Sequence, residues 1–244
     1  MTKVPELTIY FWIAKLLSTA MGESVSDALG HLLGHTQAAV VAGTALLVAL
    51  IVQFRAHAYS TWIYWIAVSM VAVFGTMAAD ILHGQLAISY IASTAFYAAA
   101  LAAIFLFWHR TENTLSIHSI VTRRREAFYW AAVLATFALG TAAGDLTART
   151  FQLGYFSSGI MFAIVMAIPG IAFWKFRMNA ILAFWAAYVA TRPVGASFAD
   201  WMATPAARGG LGLGAGPAGV GLAIVLLVLV AYMAISGKDV KANR

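Results

Sequence analysis

Four times along this chain a Trp is followed ten residues later by a Gly and five residues after that by an Asp. The triplets are Trp12, Gly22 and Asp27; Trp65, Gly75 and Asp80; Trp130, Gly140 and Asp145; Trp185, Gly195 and Asp200. The segments read FWIAKLLSTAMGESVSD, YWIAVSMVAVFGTMAAD, YWAAVLATFALGTAAGD and FWAAYVATRPVGASFAD, with an aromatic residue before every Trp. A pattern that returns at one place in successive units marks duplication, and self-similarity of this kind constrains topology more than any single motif.

Each copy lies on an apolar stretch of about 20 residues, the length that crosses a roughly 30 Å hydrocarbon layer. Eight such stretches are expected, near 7–28, 36–54, 61–83, 86–108, 126–148, 154–174, 180–202 and 218–236. The fold class is therefore all-α: a polytopic integral membrane protein of eight transmembrane helices. They form four two-helix repeats, about 7–54, 61–108, 126–174 and 180–236, in a single membrane domain over 1–244. Composition agrees, because charged residues make up 10% of the chain against about 25% in soluble proteins. Cysteine is absent, which excludes disulfides, thiolate metal sites and cysteine nucleophiles. No cleavable leader is expected in Met1–Glu6, which lacks a basic start and a small-residue cleavage site.

Two helices per unit make successive units enter the membrane in the same direction, so the repeats are parallel. That permits a pseudo-fourfold ring about the membrane normal, or two halves packed as a pseudo-dimer. Lys3, Arg55, Arg110, Arg123, Arg124, Arg125, Lys175, Arg177, Lys238, Lys241 and Arg244 fall on one side, against Arg149 and Arg208 on the other. The positive-inside rule then puts both termini of this multi-pass protein in the cytoplasm. Spread between apolar stretches in this way, the basic residues form no nucleic-acid patch. The external segment Pro205 to Pro217 carries five glycines and reads as a flexible or tightly turned loop, either lid or linker.

Within the repeat, the aromatic-Trp pairs stand at the cytoplasmic start of their helices, where amphipathic rings anchor at headgroup level. Each Gly is followed four residues on by a small residue: Ser26, Ala79, Gly144 and Ala199. Small residues at that spacing let helix backbones approach, so the odd-numbered helices are expected to form a tight inner cluster. An Asp in hydrocarbon costs at least about 2.5 kcal/mol and tends to face water or a partner. The competing reading places the four Asp at the outer interface, hydrated at their helix ends.

Polar residues lead to each Asp at four-residue spacing, which puts them on one helical face. The stripes are Lys15, Thr19, Glu23 and Asp27; Thr76 and Asp80; Thr141 and Asp145; Tyr188, Arg192 and Asp200. If the faces converge, Glu23, Asp27, Asp80, Asp145, Asp200, Thr76 and Thr141 line an oxygen-rich vestibule for a substrate or ion, with Lys15 and Arg192 as charge partners. Oxygen ligands suit hard cations, so Glu23, Asp27 and Asp200 are candidate ligands for a bound divalent cation. No other cofactor is expected. Pro193 is expected to kink or break the seventh helix, and unwound backbone at membrane depth marks transporter sites. An Arg192 to Asp salt bridge stapling the first and seventh helices is the structural alternative.

KVPELTIYFWIAKLLSTAMGE, YW with GTMAAD, EAFYW with LGTAAGD, and FWAAYVATRPVGASFADW together resemble a family of bacterial membrane-anchored proteins built of four tandem two-helix repeats of unknown function. The resemblance spans nearly the whole chain and implies the eight-helix fold without an activity. Gly22-Glu23 and Gly144-Asp145 are also similar, in a different residue order, to the Glu-x-Gly-Asp motif of a manganese and calcium transporter family.

The expected function is transport or export of a cation, divalent in one version, through an intramembrane carboxylate site. The alternatives are a proton-coupled transporter of a small organic anion or zwitterion, with Lys15 and Arg192 on the anionic group, and a non-transport structural membrane protein. The expected partners are the lipid bilayer and a small ion or molecule, with a homo-oligomer allowed and nucleic acid excluded. An enzyme is not expected. His31, His35, His57, His83, His109 and His118 fall in or beside loops, and no Gly-x-Ser-x-Gly, His-Glu-x-x-His or phosphate-binding loop is present.

Overall fold

The computed structural model describes residues 2–84, 86 and 88–240, and these residues are built of helices and their connections. The eight long helices are α1 (Ile9–Leu33), α2 (His35–Arg55), α3 (Thr61–Gly84), α4 (Tyr90–Glu112), α5 (Arg123–Asp145), α6 (Tyr155–Phe176), α7 (Ala180–Ala203) and α8 (Ala215–Ser236). Side chains set several starts: Thr8, Ser89, Thr122 and Asn179 each accept a hydrogen bond from a first-turn amide, satisfying a donor the helix leaves unpaired. The cap at Ser89 begins α4 four residues later than the expected 86. At the other extreme α1 runs past 28 to Leu33, ending at Gly34 with φ near 80°.

The odd helices form a closed ring in the order α1, α3, α5, α7 and back to α1. The repeat glycines set its spacing. A Cβ on Gly22 would overlap Ala72 of α3, one on Gly75 would overlap Phe137 of α5, one on Gly140 would overlap Arg192 of α7, and one on Gly195 would overlap Thr19 of α1. Ala72, Phe137, Arg192 and Thr19 occupy one repeat position, seven residues after the Trp. Every unit thus hands its Gly to the same site on the next, and the fourth hands back to the first. This is the tight inner cluster the small-residue pattern predicts, with pseudo-fourfold closure rather than a pseudo-dimer.

The even helices lie outside, each leaning mainly on the inner helix of the following repeat: α2 on α3, α4 on α5, α6 on α7 and α8 on α1. Their outward faces are apolar, as with Val40, Leu47 and Val48 on α2 or Val220, Ile224 and Val228 on α8. Buried polar residues gather on the odd helices instead: Lys15, Thr19, Glu23, Thr76, Thr141, Thr191 and Arg192. Apolar outside and polar within is the distribution a hydrocarbon solvent favours. Six helices are long and apolar enough to cross a membrane. The two that fall short, α1 and α7, carry Lys15, Glu23 and Asp27, and Arg192 and Asp200.

The aromatic-Trp pairs depart from expectation. Trp65, Trp130 and Trp185 are buried, as are Phe11, Tyr64, Tyr129 and Phe184 before each Trp. Phe11 meets Trp65 at 5.9 Å between ring centroids, Tyr64 meets Trp130 at 5.7 Å, Tyr129 meets Trp185 at 6.2 Å and Phe184 meets Trp12 at 5.9 Å. The rings therefore close one end of the helix ring, each bridging to the next repeat, instead of anchoring in headgroups. Residues 2–6 cross beneath this floor. The Lys3 ammonium donates to Glu126 at 2.7 Å and to the Phe54 carbonyl at 3.2 Å, and the Glu6 amide donates to the Asp239 carbonyl at 3.0 Å.

Helix α7 also differs from the reading of Pro193, for it runs unbroken from Ala180 to Ala203. The proline ring seats against Gly140, whose missing side chain makes the room, and the helix continues through the lost hydrogen bond. No unwound backbone forms there. The glycine-rich segment between Pro205 and Pro217 is tightly turned: its Leu211, Gly212 and Leu213 amides donate back to the Trp201, Thr204 and Met202 carbonyls. Lys3, Arg55, Arg110, Arg123–Arg125, Lys175, Arg177 and Lys238 cluster at the aromatic end and Arg149 and Arg208 at the opposite end, while Lys241, Arg244 and the His83 side chain lie outside the described residues.

Candidate functional site

Four-residue steps along the ring helices stack equivalent positions into layers down one axis. Nearest the aromatic floor is a layer of Lys15, Val68, Val133 and Tyr188; then come Thr19, Ala72, Phe137 and Arg192; then Glu23, Thr76, Thr141 and Ala196; and last Asp27, Asp80, Asp145 and Asp200. The first three layers are buried throughout, and the Asp layer opens toward solvent.

Arg192 is fully buried at 0% exposure and binds the ring together. Its Nε donates to the Phe137 carbonyl at 3.2 Å and its Nη1 to the Thr19 carbonyl at 3.0 Å, one acceptor on each neighbouring helix. Nη2 reaches the axis and donates to Glu23 Oε2 at 2.7 Å, Thr141 Oγ1 at 2.8 Å and Thr76 Oγ1. The fourth member of that layer, Ala196, lies one turn along α7 from Arg192 itself. The guanidinium thus occupies the centre of a four-residue layer and supplies hydrogen bonds to all three polar members. Thr76 and Thr141 also donate to Glu23 Oε2, at 3.1 and 3.3 Å. The staple between the first and seventh helices therefore exists, with Glu23 rather than an Asp as the acid, and it ties in α3 and α5 as well.

Beyond this plug lies a cavity of about 310 Å³ lined by Asp27, Asp80, Asp145, His31, Tyr90 and Arg149 among others. A second cavity of about 910 Å³, on the α6 to α8 side, is lined by Asp27, Asp200, Arg149, Tyr155, Thr204 and Arg208 among others. Asp27 and Arg149 belong to both, so all four repeat Asp residues open toward one end of the ring through two adjoining clefts. Asp145 pairs with Arg149 at 2.9 Å. Asp27, Asp80 and Asp200 form no ion pair among the described residues.

Glu23, Asp27 and Asp200, the expected metal ligands, are not gathered into one set among the described residues. Among the described residues no three Asp, Glu or His side chains are grouped to hold an ion. The physical reason is the preceding layer: Glu23 has turned to the guanidinium, one turn below the Asp layer, and Asp27 and Asp200 stay on the cleft walls.

Arg149 escaped the sequence reading, which took it only as an external basic residue. A π-helical turn over Leu146–Thr150 follows α5 and carries Arg149 back over Asp145, where its Nε donates to the Tyr155 hydroxyl at 2.7 Å and its Nη1 to the Tyr90 hydroxyl at 3.1 Å. Such turns recur at functional sites. Its four-residue spacing from Asp145 was the available signal. Tyr64, Tyr129 and Tyr188, buried at the floor of the axis, were likewise outside the predicted site.

A closed ring of duplicated helix pairs, apolar on its outer surface and charged along its axis, defines a repeat-built helical protein compatible with a membrane. The family model described as Repeat of Unknown Function (DUF347) matches residues 10–59, 63–114, 128–179 and 183–239, and the chain belongs to that family. Each matched segment holds one inner and one outer helix. No curated protein and no solved structure matches the chain.

Proposed function

We propose that this protein is a cation transporter of the bacterial inner membrane, with eight spans and both termini in the cytoplasm. The observation that carries the reading is the Asp layer: one carboxylate from each repeat, at one end of a ring whose centre is shut by Arg192 and Glu23. Four repeat-derived carboxyl groups share the clefts with Arg149 and Arg208, and carboxyl oxygens ringed at the mouth of a pore are how cation pathways select their ion. The aromatic floor and residues 2–6 close the other end, as alternating access requires of a vestibule open to one side. The cargo is a cation that keeps part of its hydration shell, since no compact ligand set stands ready for it among the described residues. The basic residues at the aromatic end support the orientation.

Proteoliposomes loaded with ion-sensitive dyes for Na⁺, K⁺, Mg²⁺ and Mn²⁺ test this. Asp27→Asn and Asp80→Asn are each expected to cut uptake of the transported ion at least tenfold; equal flux in the wild type and both variants removes the proposal. The organic anion or zwitterion alternative needs Lys15 and Arg192 to meet an anionic group. Arg192 already donates to five acceptors, which argues against it. Its ties to α1, α3 and α5 favour instead the structural alternative, and absence of flux for every ion in a folded protein is the result that reading expects.

A further inference from the structure

Lys15 lies on the ring axis between the aromatic floor and the Arg192 plug, 1% exposed, and its Nζ has no hydrogen-bond acceptor. It rests instead on two rings, 3.8 Å from the centroid of Phe137 and 4.4 Å from that of Tyr188. Arg192 Cζ lies 4.9 Å from the same Phe137 ring. Two cationic side chains therefore share one aromatic neighbour, with one carboxylate, Glu23, in the adjoining layers. Arg is never deprotonated in proteins, whereas a buried Lys can give up its proton, so Lys15 is the cation on this axis that can gain and lose its charge.

We infer that Lys15 is a proton-binding site that drives the opening of the aromatic end, which makes the proton the coupling ion of the transport proposed above. The inference rests on that reading. In the step, the amine lone pair takes one proton from water and becomes an ammonium. Returning the proton to water on the other side restores the amine, so no other reactant is consumed. The route from the aromatic end passes the Tyr64 and Tyr129 hydroxyls, which are hydrogen-bonded to one another, and the buried Tyr188 hydroxyl. Protonation puts a second positive charge against Arg192, weakens its hold on Glu23 and loosens the ring. The groups facing Lys15 are Tyr64 from α3, Tyr129 from α5, and Tyr188 and Arg192 from α7, with Glu23 two turns along α1. Helices α2 and α8 bring no titratable group to this depth, since His35, Arg55 and Tyr232 stand near helix ends. The cluster has no counterpart in the other repeats, where the Lys15 position is Val68, Val133 and Tyr188.

The chain has no cysteine, so one reporter can be placed cleanly. Val133→Cys puts a thiol in the Lys15 layer, where it meets maleimide only when the aromatic end opens. In purified full-length protein in lipid nanodiscs, its labelling rate, taken relative to a freely exposed cysteine to cancel the thiolate's own pH dependence, is expected to rise at least tenfold with falling pH, along a one-proton curve. Adding Lys15→Met is expected to leave a slow, pH-independent rate. Lys15→Arg, a permanent cation, is expected to give a fast, pH-independent rate. A pH-independent rate in the Lys15 protein, or an unchanged pH curve with Lys15→Met, overturns the inference. The measurement uses no cargo, so a positive result beside failed ion flux condemns the cation reading alone.

Discussion

Arg192 and Glu23 illustrate what a single buried pair does in a ring. Removing one partner of a buried ion pair costs about 3–5 kcal/mol, because the remaining charge loses its compensation. Glu23→Ala and Arg192→Ala are each expected to destabilise the fold by that order, as followed by tryptophan fluorescence during thermal unfolding in detergent. The double variant is expected to lose well under the sum. Additive losses in that double-mutant cycle would show that the two side chains do not act together. The chain stripe Lys15, Thr19, Glu23 and Asp27 made these residues visible as candidates. Their division of labour was not visible, because the partner of Glu23 is 169 residues away.

At the scale of elements, the ring is held at four glycine contacts. Gly140→Ala places a methyl on Arg192 and Pro193, and overpacking of this kind costs about 1–3 kcal/mol. Its neighbours cannot yield easily, since Arg192 is tied to α1, α3 and α5. Gly221→Ala on α8 meets nothing within 4 Å and is expected to leave the unfolding temperature within a degree or two or raise it slightly. A small difference between the two variants would mean that close helix approach is not what those glycines supply. The small-residue spacing pointed to helix contact from the start. Which helix each Gly meets follows only from cyclic order.

For the molecule as a whole, α8 lies on α1 as α2 lies on α3, so the chain's ends interrupt a ring that is otherwise continuous. Residues 6 and 239 are already hydrogen-bonded. A circular permutant in which a Gly/Ser linker joins the two termini, keeping Lys3 on Glu126, and which is reopened between Arg177 and Met178 is expected to fold, with elution volume and unfolding temperature close to the parent's. Aggregation of the permutant, with the linked but unopened chain behaving normally, would count against equivalence of the four units.

Duplication, helix number and helix positions were legible in the sequence because apolar length and spacing are local properties, written within some twenty residues. The acidic layer was legible for the same reason, since a four-residue step puts residues on one face whatever surrounds them. The aromatic-Trp pairs and the break allowed at Pro193 were misread because a headgroup anchor and a floor ring share one local signature, and whether a proline interrupts a helix depends on its neighbours. Closure of the ring, the choice of Glu23 as partner for Arg192, the solitary position of Lys15 and the π-turn that brings Arg149 to Asp145 came from tertiary structure alone. Each depends on which of several distant side chains shares a small buried volume, and that is decided when helices meet.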